Sequence, residues 1–282
     1  MGTVRDTPGW GGGPWVSLRA TVTKRTPFPA HPRGRTGLRD AVVLVTGASG
    51  SIGTALRTRF AAEGTVVVGL DLVADPGAGI LACDITDEEQ VGAAVGQVLA
   101  EHGRLDVLVD NAGISAIGTI DDHDLATHRQ VLEVNHLGAL ACTLAALPHL
   151  RQSRGSVVTI GSVAGFAPVA GRPAYVAAKH AVTGLMEALR PELAADGIHV
   201  GLVHPTFVTT LLTTADGSRD RSTTGAPVRP DDVAGAVLDV VRRRRDRALV
   251  GRTAHLAWQA SRLAPRTYAR LMTRRLRQGT PG

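Results

Sequence analysis

Ala41-Val42-Val43-Leu44-Val45-Thr46-Gly47-Ala48-Ser49-Gly50-Ser51-Ile52-Gly53 runs from an unbroken apolar stretch into a glycine-rich turn, and then into residues at helical spacing up to Glu63. The unbroken run predicts a strand covered on both faces, because a strand with one wet face alternates apolar and polar residues. Glycines, lacking Cβ, let the backbone turn tightly and let a pyrophosphate approach the N-terminus of the following helix, whose unpaired N–H groups and dipole favour an anion. Such a turn is a weak signal alone, but here it follows a buried strand and opens a helix, which is the context a dinucleotide site requires. Asp71 stands eighteen residues past Gly53, at the end of a second apolar run, Thr65–Leu70. An acid there accepts hydrogen bonds from the adenosine ribose hydroxyls and repels a 2′-phosphate, which favours NAD over NADP. The alternative for Asp71 is a solvated loop acid.

Outward from this turn the same alternation repeats. Short apolar runs at Ile80–Cys83, Leu105–Val109, Ser156–Ile160, Ile198–Val203 and Ala248–Val250 are separated by helical patterns. The helices are expected from Asp87 to about His102, over His123–Leu150, from Pro173 to about Asp196, and over Pro230–Val241. Strand, helix, strand, repeated six or seven times with short links, predicts a doubly wound α/β fold: a parallel sheet of about seven strands with helices on both faces, Rossmann-type. Residues 206–229 are rich in Thr, Ser, Gly and Asp without a period, and read as a lid. Residues 1–38, with Gly11-Gly12-Gly13-Pro14 and no sustained period, read as a disordered leader or an over-extended start. The expected organisation is thus a leader to 38, a catalytic domain over 39–252, and a tail over 253–282.

The 282 residues sum to a net charge of +6 with a pI near 10.3, which by itself suggests a nucleic-acid binder. The charge is not spread evenly. Residues 1–40 carry +5, residues 242–282 carry +11, and the body between them carries −10. An acidic body repels phosphate backbones, so nucleic acid is excluded as a partner. No run of 18 apolar residues occurs, which argues against a transmembrane helix, and the first residues have no apolar core of a secretory signal. Cys83 and Cys142 are too few for a disulfide framework or a metal site and read as buried thiols in a reducing cytoplasm.

Tyr175 and Lys179 stand one helical turn apart, on one face. A cation beside the phenol stabilises phenolate and lowers the phenol pKa from about 10 toward the working range, making it a usable general acid/base. The chain has only two Tyr and two Lys, and one of each falls in this pair. Ser162 lies just past the fifth strand, at the strand ends where such sheets bind ligands; a turn or helix-cap serine is its alternative.

Together Thr46–Gly53, Asp71, Asp84, Asn111-Ala112-Gly113, Asn135, Ser162, Tyr175 and Lys179 resemble, in order and spacing over roughly residues 40–250, the compact single-domain branch of the short-chain dehydrogenase/reductase family. The resemblance implies that Tyr175 exchanges a proton with the substrate oxygen, that Lys179 holds the nicotinamide ribose and tunes Tyr175, and that Ser162 orients the substrate oxygen. It gives Asn135 a water linking Lys179 to solvent, although a structural role fits a helical Asn as well. It places the cofactor against Gly47, Ser49, Gly50, Ser51, Ile52 and Gly53, against Asp84 and Ile85 at the adenine, against Asn111, Ala112 and Gly113, and against Tyr175 and Lys179. Pro205, Thr206, Val208 and Thr209 fall to the nicotinamide carboxamide end.

Two positions depart from the family pattern. Ser51 stands where the compact branch has glycine, which leaves the Gly47-x-x-Gly50-x-x-Gly53 spacing of the sugar-nucleotide-modifying branch; the chain after Lys179 is too short for that branch's substrate domain. Thr206 stands where glycine commonly follows proline, and its Cβ is expected to stiffen the lid's root.

The implied reaction passes a hydride between NAD(H) and a secondary alcohol or ketone, with Phe207, Val208, Leu211, Leu212, Ile114, Val163 and Phe166 walling an apolar pocket or packing as core. An NADPH-linked carbonyl reductase, a non-catalytic dinucleotide module and a sugar-nucleotide epimerase are the competing readings. The tail's second half, with Arg266, Arg270, Arg274, Arg275 and Arg277 among Leu271, Met272 and Leu276, fits an anionic membrane surface, a subunit partner near the substrate mouth, or a solvated helix. The family implies a homodimer or homotetramer, and the expected location is cytoplasmic, or membrane-associated through the tail.

Overall fold

The computed structural model describes residues 37–209, 212–213, 219–220 and 227–278. Residues 1–36 of the expected leader and the centre of the expected lid lie outside these.

Seven parallel strands form one sheet: β1 (Val42–Thr46), β2 (Val66–Asp71), β3 (Ile80–Ala82), β4 (Val107–Asp110), β5 (Ser156–Ile160), β6 (His199–Pro205) and, after a ribbon described below, β9 (Arg247–Val250). Their order is β3-β2-β1-β4-β5-β6-β9. The chain runs outward from β1 to one edge, returns to β4, and runs outward to the other edge. The switch point therefore lies between β1 and β4, where such sheets open a crevice at the strand ends.

The unbroken apolar runs have a direct cause. Val42 and Leu44 of β1 enter one core, with Val68, Leu70, Val157, Val200 and Leu202. Val43 and Val45 enter the other, with Val158, Ile160 and Val203. Successive side chains point to opposite faces and both faces are dry, so no position is left for a polar residue.

Helices α2 (Glu88–His102), α4 (Ala139–Ser153) and α5 (Pro173–Ala194) cover the first face, and α1 (Ser51–Ala61) and α6 (Pro230–Arg243) the second. Leu56 and Phe60 of α1 are fully buried; each such side chain contributes about 1.5–3 kcal/mol of burial. α2 starts where expected, because the Asp87 carboxylate accepts from the main-chain N–H groups of Glu89 and Gln90, and it stops at Gly103 in the left-handed region.

The sequence departs from the structure in three places. The helix expected over His123–Leu150 begins at Leu125 and runs to Ser153, as α3 (Leu125–Leu132), a π-helical segment Glu133–Gly138, and α4. A hydrophobic period near 3.6 does not signal a π insertion, because only a few residues shift register. By length and composition this continuous helix could cross a membrane, contrary to the exclusion drawn from apolar runs, but its Cys142, Thr143, Ala146 and Leu150 are buried within the fold.

The second departure is inside the lid. Leu212–Thr213 (β7) pairs antiparallel with Arg219–Asp220 (β8), and Thr209 donates to the Val228 carbonyl at 2.9 Å while Val228 donates to that of Phe207 at 2.8 Å. The two ends of the segment are thus zipped together. Third, the helical segment set apart as a tail packs on the fold: α7 (Arg252–Leu263) buries Ala254 and Ala257, and α8 (Pro265–Gln278) buries Tyr268.

Candidate active site

Three loops at the carboxyl ends of β1, β2 and β4 meet in the crevice. Gly47 holds φ at +62°, and a Cβ there would sit 2.8 Å from the Ala112 Cα; at Gly53 a Cβ would overlap the Gly47 carbonyl oxygen. Gly50 is different. Its φ is −67°, and a Cβ there would meet only the Gly47 oxygen, at 3.4 Å. Among the described residues no neighbour demands glycine at 50. The α1 N-terminus it opens has no side-chain cap and no acid in its first turn, which leaves its N–H groups for an anion. Ser51, the departure from the family spacing, is simply the exposed first residue of that helix.

Asp71 ends β2 with its carboxylate fixed over the turn: one oxygen accepts from the Ser49 N–H at 2.8 Å, the other from the Leu72 N–H at 2.9 Å. Asn111 clamps the opposite side, donating from Nδ2 to the carbonyls of Thr46 (2.9 Å) and Gly47 (3.0 Å). Thr46 answers, its Oγ1 accepting from the N–H groups of Asn111 and Ala112, both at 3.0 Å. Asp84 caps its own turn, accepting from the Thr86 N–H and hydroxyl. Ile85 packs its side chain and its carbonyl oxygen against Gly138.

The second group gathers around Gly113. A Cβ on Gly113 would sit 2.6 Å from Asn135 Oδ1 and 3.6 Å from Lys179 Nζ, so the glycine is what lets these two polar atoms share a space. Asn135 lies in the π segment, 2% exposed, and its Nδ2 donates to the Ile114 and Val131 carbonyls at 2.8 and 2.9 Å. Its Oδ1, buried, has no partner among the described residues. Lys179 donates to the Ile160 carbonyl at 3.0 Å, and its Nζ is 5.7 Å from the Tyr175 ring centroid. Burial lowers the Lys179 ammonium to about 8, against the opposing pull of Asp110. Asp110, at the end of β4, is pushed up to about 7 by burial, and the Thr159 and Thr143 hydroxyls hold it down in part. Ser162 Oγ accepts from the Ala164 N–H at 3.1 Å, so the cap role is real alongside its position past β5.

The residues expected at the carboxamide end divide. Thr206 is 9% exposed and lies against Gly251, with its N–H on the Val250 carbonyl. Val208, half-buried, packs against the second core with Val228, the core-packing alternative of the sequence reading. Thr209 closes the lid's root on Val228. Pro205 ends β6. Of the other wall residues, Ile114 packs with Tyr175, and Val163 and Phe166 pack with the C-terminal helices. Leu211 lies outside the described residues, as does the Leu212 side chain.

Sequence reasoning missed three side chains here. Thr46 was read only as part of the turn. Arg172, 8% exposed, donates to Ser115 Oγ at 3.3 Å and lies 5.8 Å over the Phe207 ring. His204, with no exposure, contacts the Ser162 main chain. Arg172 directly precedes Pro173 of the helix that bears Tyr175, which is the one signal that could have drawn attention to it.

The sequence profile described as short chain dehydrogenase matches residues 41–221. The chain belongs to the short-chain dehydrogenase family. It is 34% identical over 270 residues to the dehydrogenase/reductase SDR family member 7B of Xenopus tropicalis, covering 86% of this chain and 87% of that one. It is 30% identical over 215 residues to the meso-2,3-butanediol dehydrogenase of Serratia marcescens, covering 70% and 86%. Among solved structures, ligand-free aldohexose dehydrogenase of Thermoplasma acidophilum superposes with a TM-score of 0.68 at 32% identity, covering 76% and 93%. A short-chain dehydrogenase of Streptomyces avermitilis superposes at 0.72 with 28% identity, covering 86% and 100%. Members of this family are oxidoreductases that use NAD or NADP on small molecules, and this short-chain dehydrogenase shares their seven-stranded Rossmann-type sheet.

Proposed function

We propose that this short-chain dehydrogenase transfers a hydride between NAD(H) and a secondary alcohol/ketone pair with an apolar body. The observation that carries the reading is the buried Lys179, held on the Ile160 carbonyl two residues before Ser162 and one helical turn from Tyr175. A cation kept there at the expense of its hydration stabilises negative charge on the phenol oxygen. Tyr175 then gives a proton to, or takes one from, the substrate oxygen, and Ser162 orients that oxygen and stabilises its developing charge. The unpartnered Asn135 Oδ1 beside Lys179 suits a water that resupplies the proton. Bound NAD(H) supplies the hydride chemistry; the chain supplies position and electrostatics.

The Gly50 opening and the free α1 N-terminus suit the pyrophosphate. The Asp71 carboxylate, fixed by Ser49 and Leu72, suits a 2′-hydroxyl and opposes a 2′-phosphate. Ile114 against Tyr175, and Val163 with Phe166 after Ser162, favour an apolar substrate. Exposed Leu125, Leu132, Leu137 and Leu144 along the long helix support a homodimer or homotetramer. We place the protein in the cytoplasm; Leu271 with Arg266, Arg270 and Arg274 of α8 is the exposed surface through which it would meet an anionic membrane.

Fluorescence titration with NADH and NADPH, followed by a panel of hydroxysteroids, cyclic alcohols and aliphatic ketones, tests the reading. Tighter binding of NADH and turnover of an apolar member are expected. Tighter binding of NADPH overturns the Asp71 argument, and a dead panel favours a non-catalytic dinucleotide module.

A further inference from the structure

The loop that carries Ser162 is held by residues outside every motif above. Gly161 donates to the Val203 carbonyl of β6 at 2.8 Å. The next residue of β6, His204, places Nδ1 2.9 Å from the Ser162 carbonyl oxygen. A carbonyl only accepts, so Nδ1 bears the proton and Nε2 is the bare nitrogen of a neutral ring. The imidazole fills the room a Cβ on Gly161 would need, which would lie 2.6 Å from Nδ1. Beyond it Phe166 meets His204 edge-on at 5.2 Å, and Trp258 of α7 meets Phe166 edge-on at 4.9 Å. Arg247 and Arg262 stack over the Trp258 ring at 4.1 and 3.1 Å, and Arg247 is ion-paired to Glu187 of α5, the helix that bears Tyr175 and Lys179. Ala167, Ala257, Tyr268 and Met272 pack around this column.

We infer that His204, Phe166 and Trp258 are positioning residues: through them the basic C-terminal helices hold the main chain of the Ser162 loop in place. That the loop orients a substrate oxygen rests on the function proposed above; that the column holds the loop does not. Core packing alone does not account for His204. Its Nε2 is buried without a partner among the described residues, a cost that a leucine of similar size would avoid. What imidazole adds over leucine is the N–H on the Ser162 carbonyl. Burial also keeps the ring neutral, lowering it to about 4, so the tautomer that donates persists at physiological pH.

The test uses the full chain and hydrogen–deuterium exchange of the peptide spanning 161–167, with NADH affinity as the control for the dinucleotide half. His204→Leu and Trp258→Ala should each speed exchange in that peptide by about tenfold or more. The β1 peptide and the NADH dissociation constant should stay within about threefold of wild type. His204→Asn, which can keep an amide N–H toward the carbonyl, and Trp258→Phe should return exchange to near wild type. Trp258 is only partly buried, so Trp258→Ala decides the matter should His204→Leu not fold. Unchanged exchange in 161–167, or a rise spread evenly over the sheet, overturns the inference. A dead substrate panel with the local exchange pattern intact would remove the function and leave the column standing. With a turned-over substrate, Trp258→Ala should lower kcat about tenfold and leave the KM for NADH unchanged.

Discussion

At the β1–β2–β4 side of the crevice, the turn is held by its own main chain and by short polar side chains: Thr46, Asn111 and Asp71, each at a strand end. At the β5–β6 side, the Ser162 loop is held by aromatic rings from β6, from the loop itself and from a helix nearly a hundred residues downstream. The first arrangement depends on a few glycines and short side chains, so it tolerates little change in identity. The second depends on filled volume, and many residue sets could fill it. One side can therefore serve a constant ligand, while the other is free to differ with the substrate.

The largest expected effect separates the two sides. Tyr175→Phe should cut turnover by about 10²–10⁴-fold with far less loss of NADH affinity in fluorescence titration; equal loss of both would show that the sides are not independent. Gly47→Val is the mirror experiment. A branched residue in the left-handed region costs about 1–3 kcal/mol, and its Cβ would also press on Ala112. NADH affinity should fall at least about tenfold, with a lower Tm. If affinity held, the turn would not be the rigid seat described above.

The smallest effect concerns Asp110, which lies between the sides. Its folded pKa is raised to about 7 by burial, so from about pH 4 to 7 the folded chain keeps a proton that the unfolded chain releases. Its contribution to stability is full at low pH and is lost as pH rises through about 7. The Tm of wild type minus that of Asp110→Asn should therefore decrease from pH 4.5 to 7.5, by about 2–4 °C for each kcal/mol lost. A constant difference would mean that Asp110 titrates normally.

Much of this was legible in the chain. The strands read correctly because a sheet dry on both faces forces unbroken apolar runs such as Val42–Val45. Asp71 falls at the end of β2 and Asn111 directly after β4, as the apolar runs before them indicate. The π segment around Asn135 left no trace, since it shifts register within an otherwise apolar helix. The docking of residues in the segment 253–282 is not legible in its arginines. Arg262 of that segment and Arg247 just before it face the Trp258 ring, a contact that charge counting cannot distinguish from solvation.

The charge split takes on the same division. The acidic body contains Asp71 and Asp110, each fixed by main-chain or hydroxyl partners. The basic end is partly docked on that body through α7. Sequence alone determined the sheet, the glycine-rich turn and the Tyr175–Lys179 pair, because period and local spacing specify them. Only the tertiary structure decided that Gly113 brings Asn135 to Lys179 and that His204 and Trp258 brace Ser162. Those contacts join residues far apart in the chain through shape and burial, and neither leaves a periodic mark.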